Sequence, residues 1–365
     1  MNWIEIEKED LIKAIKILEL VPMRSGTPTS DYIRVIPTKK HMELAMASSV
    51  SAVVRVPWKA QSQKEGGAFY IDRRLLTPFV LMGDKWKGNF NLELEETQIR
   101  LKQGSRRAEL GLRTDPVDGY GQWRDLVDLK ELKLTEELRK LLIASNHCST
   151  ADPSMQHLNC VYIGGRVVLA TNHTVLFMGV SKNESKIRIP FPVGVIPLLG
   201  EGLVKAVSIE GNLVTLDCGC GYIQGTVSAI AEKDFPKRKI FEQVKRGRNW
   251  PLIAKIPAVR LTKMMTRLAN YLVGMKREDW VLRLELEDSK LRALVRIRQG
   301  IFEEKMTVEG LKKEASFEWP LELVQPVLEY MGENAESVKV RVDEEKKTPY
   351  LISGAGVDLI VGRRE

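Results

Sequence analysis

The sequence predicts an α+β protein built from three copies of one unit, in which helices pack on antiparallel strands. Its 365 residues are too many for one ordinary hydrophobic core, so we expect about two or three domains. Hydrophobic residues make up 44% of the chain and charged residues 28%, which is typical of a globular protein. Amphipathic helix patterns begin at residues 9, 135 and 258, and strand-rich sequence follows each one. This recurrence predicts internal repeats.

The first helix of each repeat has an apolar stripe and, beside it, basic residues. The predicted helices are Glu9–Leu20, Thr135–Ser145 and Ala258–Leu272. The third helix shows the pattern best, because its apolar residues fall at i, i+3, i+4, i+7 and i+11. These residues are Leu261, Met264, Met265, Leu268 and Leu272.

Strands and a second helix complete each repeat. The strand regions that follow the first helices are Tyr32–Val56, Asn159–Val180 and Trp280–Val308, and the second helices are Arg73–Met82, Pro192–Leu203 and Pro320–Met331. Two or three further strands end each repeat. Links within the sheets are too short for parallel crossovers, so the sheets should be antiparallel. We expect domains 1–129, 130–250 and 251–365, with the basic segment Lys237–Asn249 as a linker.

This order of elements resembles the bacterial DNA sliding clamp, the beta subunit of the replicative DNA polymerase. Ile4–Leu11 resembles the family's first strand and helix start, and Leu169–Asn172 resembles the end of a strand before a family turn. Thr114–Asp118 and Glu232–Pro236 resemble the segments that end the first two clamp domains. The resemblance implies three repeated processivity-fold (DNA clamp) domains, with antiparallel sheets outside and helices lining a central channel.

The resemblance implies a polymerase processivity factor in DNA replication, without catalytic activity or cofactors. Its partners would be double-stranded DNA, the DNA polymerase, the clamp loader and a second copy in a head-to-tail homodimeric ring. Two alternatives stay open. One is a divergent, phage- or plasmid-type clamp that binds a dedicated partner or antagonises the host clamp. The other is a nucleic-acid-processing enzyme, although no P-loop, HExxH or GxSxG motif supports it.

The charge of the chain favours a polyanionic partner. The net charge is +8 at pH 7, and basic surfaces bind nucleic acid by releasing its counterions. The resemblance adds Arg24 and Asn146, which fall where clamps have DNA-contacting residues. The candidate DNA-binding residues are Lys13, Lys16, Arg24, Arg73, Arg139, Asn146, Arg260, Lys263 and Arg267. The competing interpretation is that they form ordinary solvated helix faces.

A partner-peptide pocket is expected where the family has one, between a turn and the C-terminus. The family turn usually reads Thr-Asp-Gly-His-Arg-Leu, whereas residues 171–176 here read Thr-Asn-His-Thr-Val-Leu. The chain ends in charged residues where the family often has Met-Pro-Met-Arg-Leu, so apolar anchors for a peptide are lost. The candidate pocket residues are Thr171, Asn172, His173, Leu176, Val361, Gly362 and Arg363.

A subunit interface is expected between an edge strand of the first domain and one of the third. Arg106 and Arg107 on the first strand would face Glu303 and Glu304 on the second. Apolar packing by Leu76, Phe79 and Leu272 would supply most of the affinity, because exposed ion pairs contribute only about 0–1 kcal/mol. The competing interpretation is that all four charges are solvated.

A metal site and a membrane span are both disfavoured. His147, Cys148, His157 and Cys160 cluster in the sequence, but ligands of structural zinc sites are usually separated by two to four residues. We therefore expect buried side chains and no metal. The chain has no apolar run of about 18 residues, and its first residues are charged, so we expect a cytoplasmic protein.

Overall fold

The computed structural model describes most of the chain, in two compact units. The described residues are 3–21, 28–48, 50–60, 67–95, 97–115, 117–120, 131–149, 155, 158, 160–200, 202–210, 213–226, 232–272, 281–297, 300–309, 311–343 and 350–362. Unit 1 comprises Met1–Leu134 and Glu201–Val227, and unit 2 comprises Thr135–Gly200 and Ser228–Glu365.

Unit 1 contains a 13-stranded sheet in which every pairing is antiparallel. Its elements are β1 Trp3–Ile6, α1 Lys8–Glu19, α2 Pro28–Asp31, β2 Tyr32–Pro37, β3 His41–Ala47, β4 Val50–Pro57, β5 Lys59–Ala60, β6 Phe69–Asp72, α3 Arg73–Met82, β7 Phe90–Leu94, β8 Gln98–Gln103, β9 Arg106–Arg113, β10 Glu131–Lys133, β13 Ala206–Glu210, β14 Leu213–Asp217 and β15 Gly221–Thr226. The strand order is β10-β13-β14-β15-β4-β3-β2-β6-β9-β8-β7-β1-β5. Helices α1 and α3 pack against each other.

Unit 2 contains two antiparallel sheets and four α-helices among its described residues. Its elements are α4 Glu136–Asn146, β11 Cys160–Thr171, β12 Val175–Pro192, α5 Lys237–Arg248, β16 Leu252–Pro257, α6 Ala258–Asn270, β17 Val281–Glu287, β18 Lys290–Ile297, β19 Gly300–Thr307, β20 Ala315–Pro320, α7 Leu321–Asn334, β21 Ser337–Val342, β22 Tyr350–Gly354 and β23 Val357–Val361. The six-stranded sheet has the order β11-β12-β23-β22-β21-β16, and the four-stranded sheet has the order β19-β18-β17-β20.

Local sequence explains where several helices begin and which side they bury. The Asp72 side chain accepts a hydrogen bond from Arg74 N at the start of α3, and Thr135 Oγ1 accepts one from Leu138 N at the start of α4. Such caps satisfy backbone donors that have no partner within the helix. In α6 the apolar stripe that includes Met264 and Leu268 is buried, as the sequence pattern predicts.

Helices α4 and α5 lie on opposite faces of the six-stranded sheet. Side chains along a strand alternate between its two faces. On the α4 side, a Cβ placed at Gly179 of β12 would lie 2.8 Å from Leu141 Cδ2. On the other side, Met178 packs in a buried cluster with Ile240 and Val244 of α5. The sheet is therefore covered on both faces, and α5 is separated from α4 by the strands.

The sequence predicted most elements correctly, with two exceptions. The second helix of the second repeat is not the expected α-helix at 192–203 but a 3-10 helix, Val193–Leu199. The expected linker Lys237–Asn249 was also wrong, because this segment forms α5. Its apolar stripe is narrow: Ile240, Val244 and Gly247 are buried, and charged residues surround them. The i, i+4, i+7 spacing of these three positions was the available signal.

The sheets continue across the domain boundaries that the sequence predicts. Strand β15 pairs with β4, so that Tyr222 lies opposite Val53 within unit 1. Strand β12 pairs with β23, so that Leu176 lies opposite Ile360 within unit 2. The two units therefore divide the predicted middle domain between them. The division at residues 129 and 250 stays a prediction about the repeats.

Candidate nucleic-acid interface and partner surfaces

Helix α6 presents a basic face among the described residues. Arg260, Lys263 and Arg267 are exposed and fall at i, i+3 and i+7, so they share one side of the helix. The apolar side of α6 is buried. Arg267 is also paired within the chain, because its Nε donates to Glu304 Oε1 at 2.9 Å. The face therefore offers two exposed cations and a third that already has a carboxylate partner.

Helix α1 provides a smaller basic surface in unit 1. Lys16 is exposed, and Lys13 is half-buried and interacts with the Cys220 thiol. The apolar residues of α1, which include Leu11, Ile15 and Leu18, are all buried. The sequence prediction that Lys13 and Lys16 lie apart from the apolar stripe thus agrees with the fold of α1.

Two predicted DNA-binding arginines are buried, which removes them from the candidate surface. The Arg73 side chain is 5% exposed; its Nε donates to Glu19 Oε1 at 2.7 Å, and its Nη1 donates to Val21 O at 3.0 Å. Arg139 is also buried, and its Nη1 donates to Leu199 O at 2.7 Å. Both guanidinium groups satisfy backbone carbonyls inside their units. They cannot at the same time reach a phosphate.

The second repeat has no basic helix face comparable to that of α6 among the described residues. In α4, Lys140 pairs with Glu333 through an Nζ–Oε2 distance of 2.6 Å. Asn146 is half-buried, and its Oδ1 atom is buried without a hydrogen-bond partner. Arg24, the remaining candidate, lies outside the described residues. The described residues therefore show a basic helix face on α1 and α6 but not on α4, and the DNA-binding role of these faces stays a prediction.

The turn between β11 and β12 lies next to the last strand, as the predicted pocket requires. Gly362 N donates to Thr174 O at 2.8 Å. Asn172 Oδ1 accepts from Val175 N at 2.9 Å, and buried Thr171 donates from Oγ1 to Val175 O at 2.9 Å. His173, at the position of the family glycine, is exposed with φ 72°. Glycine adopts this left-handed conformation without steric cost, which explains the family preference.

The strand register corrects one wall of the predicted pocket. Val361 lies opposite Val175, whereas Leu176 lies opposite Ile360. Because side chains alternate, Val361 and Leu176 point to opposite faces of the sheet. Val361 is fully buried on the face that α4 covers, and Ile360 shares the face of Leu176 with α5. Val361 is therefore removed from the candidate pocket, Ile360 is 4% exposed beneath α5, and Arg363 lies outside the described residues.

Strands β9 and β19 each have an edge with unpaired backbone among the described residues. Strand β9 pairs with β8 along its length, but it pairs with β6 only at Leu112 and Arg113. Strand β19 is the edge of the four-stranded sheet and pairs with β18 alone. Edges of this kind can accept a further strand from another chain. They are the two strands that the sequence predicts for the subunit interface.

The apolar residues next to these edges differ from those predicted. Leu76 and Leu272 are buried, at 4% and 1% exposure, so they cannot provide a contact surface. The exposed apolar residues, which sequence reasoning missed, are Met82 and Trp86 near β9, and Tyr271 and Ile301 near β19. Helical periodicity locates the buried stripe of a helix. It does not show which of two neighbouring residues just beyond the helix end, Tyr271 and Leu272, is exposed.

Three of the four predicted interface charges already have partners within the chain. Arg106 lies over the Phe79 ring, with its guanidinium carbon 4.4 Å from the ring centroid, and donates to Phe79 O at 2.9 Å. Glu303 accepts hydrogen bonds from Arg292 and Lys305, which lower the pKa of its carboxyl to about 2. Glu304 pairs with Arg267. Arg107 is exposed. Charge pairing across an interface would therefore compete with these internal contacts.

The described members of the His and Cys cluster lie in or near the core. Cys148 and Cys160 are buried, and burial raises the pKa of the Cys160 thiol to about 12. Metals bind the thiolate form of cysteine, and a raised pKa disfavours that form. Metal binding by this cysteine is therefore disfavoured. His157 is outside the described residues, and no group of three metal-ligating side chains occurs among those described. Within the same set, no helix combines the length and apolarity needed to cross a membrane.

Solved structures resemble this chain over its whole length. The DNA polymerase III subunit beta from Pseudomonas aeruginosa aligns with a TM-score of 0.72 and 17% identity, and the alignment covers 100% of both chains. The beta subunit from Thermotoga maritima gives 0.71 and 14%, also with 100% coverage of both. The Caulobacter crescentus beta sliding clamp gives 0.71 and 15%, covering 100% of this chain and 99% of the other. This chain has the sliding-clamp fold.

The clamp fold confirms the fold class that the sequence predicts. Comparisons with protein-family models and with curated proteins find no match. The identity to the solved clamps is low, so residue roles must come from the side chains of this chain. Among the described residues, the exposed cations of α1 and α6, the 171–176 turn and the edges of β9 and β19 stay the candidates.

Proposed function

We propose that this protein is a DNA polymerase processivity factor, a ring-shaped homodimer that encircles duplex DNA and catalyses no reaction itself. The observation that carries the proposal is the sliding-clamp fold over the full length of the chain. The exposed cations Arg260 and Lys263 on α6 support it, because sequence-independent binding needs cations that attract phosphates without reading bases. In this proposal the helices line the channel and the sheets form the outside.

The DNA surface can be tested by charge neutralisation on α6. Arg260→Gln with Lys263→Gln should flatten the dependence of log binding constant on log salt concentration, by about 0.9 for each phosphate that is no longer neutralised. The matched control is Lys239→Gln with Lys245→Gln on α5, two exposed lysines on the other face of the six-stranded sheet from α4. Equal slopes for both double variants and the wild type would contradict the assignment of α6.

We further propose that the dimer forms head-to-tail, with the β9 edge of one copy against the β19 edge of the other. Exposed Trp86 and Met82 would then pack near exposed Tyr271 and Ile301 of the second copy. Opposed edges would extend the sheet and bury apolar surface that is now exposed. The internal partners of Glu303 and Glu304 make apolar packing, rather than ion pairing, the main source of affinity.

The dimer proposal predicts a specific pattern of disruption. Tyr271→Asp or Ile301→Asp should convert the protein to a monomer of 41.4 kDa in sedimentation velocity. Val259→Asp is the matched control, since Val259 is a large exposed apolar residue at the start of α6, whereas Tyr271 follows the last residue of that helix. If Val259→Asp dissociates the dimer as strongly as Ile301→Asp, the interface lies elsewhere.

Polymerase and clamp-loader segments would bind beside the 171–176 turn, at Leu176. Leu176 is partly buried against a cluster that includes Ile360, which leaves part of its side chain for a partner's apolar residue. Leu176→Glu should weaken polymerase binding while DNA binding stays unchanged. A polymerase that binds Leu176→Glu as tightly as the wild type would place the docking site on another surface.

A further inference from the structure

Helices α4 and α7 cover the same face of the six-stranded sheet in unit 2. Val357 of β23 lies opposite Gly179 of β12 on one side and opposite Gly354 of β22 on the other. Residues directly opposite each other in a sheet point to the same face. A Cβ placed at Gly179 would lie 2.8 Å from Leu141 Cδ2 of α4. One placed at Gly354 would lie 3.6 Å from Met331 Sδ of α7.

Helix α7 also packs against α6, so the three helices form one helical face in the order α4, α7, α6. The contact between α7 and α6 includes a hydrogen bond, in which Thr262 Oγ1 donates to Leu328 O at 2.7 Å. In the proposed ring this helical face lines the channel. Its charges therefore determine which of the three helices attracts the duplex.

Charge changes sign along this helical face. Helix α6 has three cations and no acid in its sequence, whereas α7 has three acids and no cation. The acids of α7 are Glu322, Glu329 and Glu333. Glu329 and Glu333 are exposed. The middle of the face is therefore electronegative, and it repels phosphates beside a helix that attracts them.

Helix α4 has one cation that could reach DNA, and that cation is held by α7. Arg139 is buried, whereas the Lys140 side chain is 42% exposed. Lys140 Nζ lies 2.6 Å from Glu333 Oε2, and the Glu333 side chain is 59% exposed. A lysine and a glutamate this close cancel each other's charge at longer distances. A phosphate therefore gains little from Lys140 while Glu333 remains beside it.

We propose that Glu333 keeps Lys140 from DNA phosphates, so that on this face the duplex is held by α6 and passes α4 and α7 without being held. The proposal rests on the proposed clamp function, in which the helical face lines the channel. Each phosphate contact adds to DNA affinity and to its salt dependence. By masking one cation, Glu333 lowers the number of contacts that a sliding ring must break. It sets the strength of the hold on DNA without reading sequence.

The competing interpretation is an ordinary surface ion pair with no effect on DNA. Stability does not distinguish the two, because exposed ion pairs contribute little to it. A second exposed pair in the same unit provides a matched control. Arg238 Nε lies 2.8 Å from Glu242 Oε1 on α5, which is on the other face of the sheet from α4. Neutralising Glu242 changes the net charge of the chain by as much as neutralising Glu333.

The proposal is tested by fluorescence anisotropy of the full-length protein with a fluorescein-labelled duplex, between about 50 and 200 mM salt. Glu333→Gln should free Lys140 for one more phosphate and steepen the log–log salt slope by about 0.9. Over this salt range the variant should lose about threefold more affinity than the wild type loses. Glu333→Gln with Lys140→Gln should return the slope to the wild-type value. Lys140→Gln alone and Glu242→Gln should leave the slope unchanged.

Four results would overturn the inference. These are a wild-type slope in Glu333→Gln, an equally steep slope in Glu242→Gln, a steeper slope that persists in the double variant, and a flatter slope in Lys140→Gln alone. Failure of the proposed function has a different signature, which is wild-type DNA binding that does not depend on Arg260 and Lys263 of α6. That result would overturn both proposals. Binding that depends on α6, with an unchanged slope in Glu333→Gln, would overturn this inference alone.

Discussion

Replacing Arg73 by methionine should destabilise unit 1 without affecting DNA binding. The guanidinium is buried between the end of α1 and the start of α3, where it donates to Glu19 Oε1, Glu19 O and Val21 O at 2.7, 3.2 and 3.0 Å. Methionine keeps most of the apolar stem but leaves these acceptors without their donor. Thr77 Oγ1 still donates to Glu19 Oε1 at 3.0 Å, so the carboxylate keeps one partner.

The expected loss is about 3 kcal/mol. Removing one partner of a buried ion pair costs roughly 3–5 kcal/mol, and each buried acceptor left unsatisfied costs roughly 1–3 kcal/mol. The side chain of Glu19 is 34% exposed, so water can replace part of what is lost, and we take the lower end. A loss of about 3 kcal/mol corresponds to about a hundredfold change in an equilibrium constant.

Native-state hydrogen exchange can measure this loss locally. Amides of α1 should lose about a hundredfold in protection, while those of α6 in unit 2 stay near their wild-type values. Arg74→Met is the matched control, because the neighbouring Arg74 is exposed and pairs with Asp72 in water. A similar loss of amide protection in both variants would refute the assignment of Arg73 to the core. So would full amide protection in Arg73→Met together with a flatter salt dependence of its DNA binding.

Three further predictions concern packing, thiol chemistry and titration. Gly332→Ala should cost about 1–3 kcal/mol in urea unfolding, because the new Cβ would collide with Thr262 of α6, and Thr262→Ala should restore part of it. At pH 8 a disulfide reagent should modify at most Cys220 in the native protein and all four cysteines in urea, because burial raises the pKa of Cys160 to about 12. The Glu303 carboxyl should titrate near pH 2 by carbon NMR, so its contribution to stability is complete above its ordinary pKa of 4.5 and is lost as pH falls toward 2.

Periodicity predicted the apolar helix stripes but could not assign the exposure of cations. The α6 stripe has a full apolar side, so both its extent and its basic face follow from the sequence. Arg73 has no such signal, because an arginine at the start of a helix can cap a neighbouring helix or face solvent. The burial of Arg73 depends on backbone carbonyls at the end of α1, which are distant from Arg73 in the sequence.

The candidate pocket was predicted in position but not in orientation. Family resemblance places the 171–176 turn beside the C-terminal strand, and the hydrogen bond from Gly362 to Thr174 agrees with this. Assigning Val361 to the pocket failed because a shift of one residue reverses the face of a strand. Register depends on cross-strand pairing such as Leu176 with Ile360, which a single sequence does not specify.

Topological retention on DNA tests the central claim most directly. The protein would be loaded onto nicked circular plasmid by its clamp loader and passed over a sizing column at high salt, where direct phosphate contacts are screened. A closed ring should stay with the circular DNA and slide off after the plasmid is linearised. Equal retention on circular and linear DNA, or none on either after loading, would contradict a clamp that encircles its duplex.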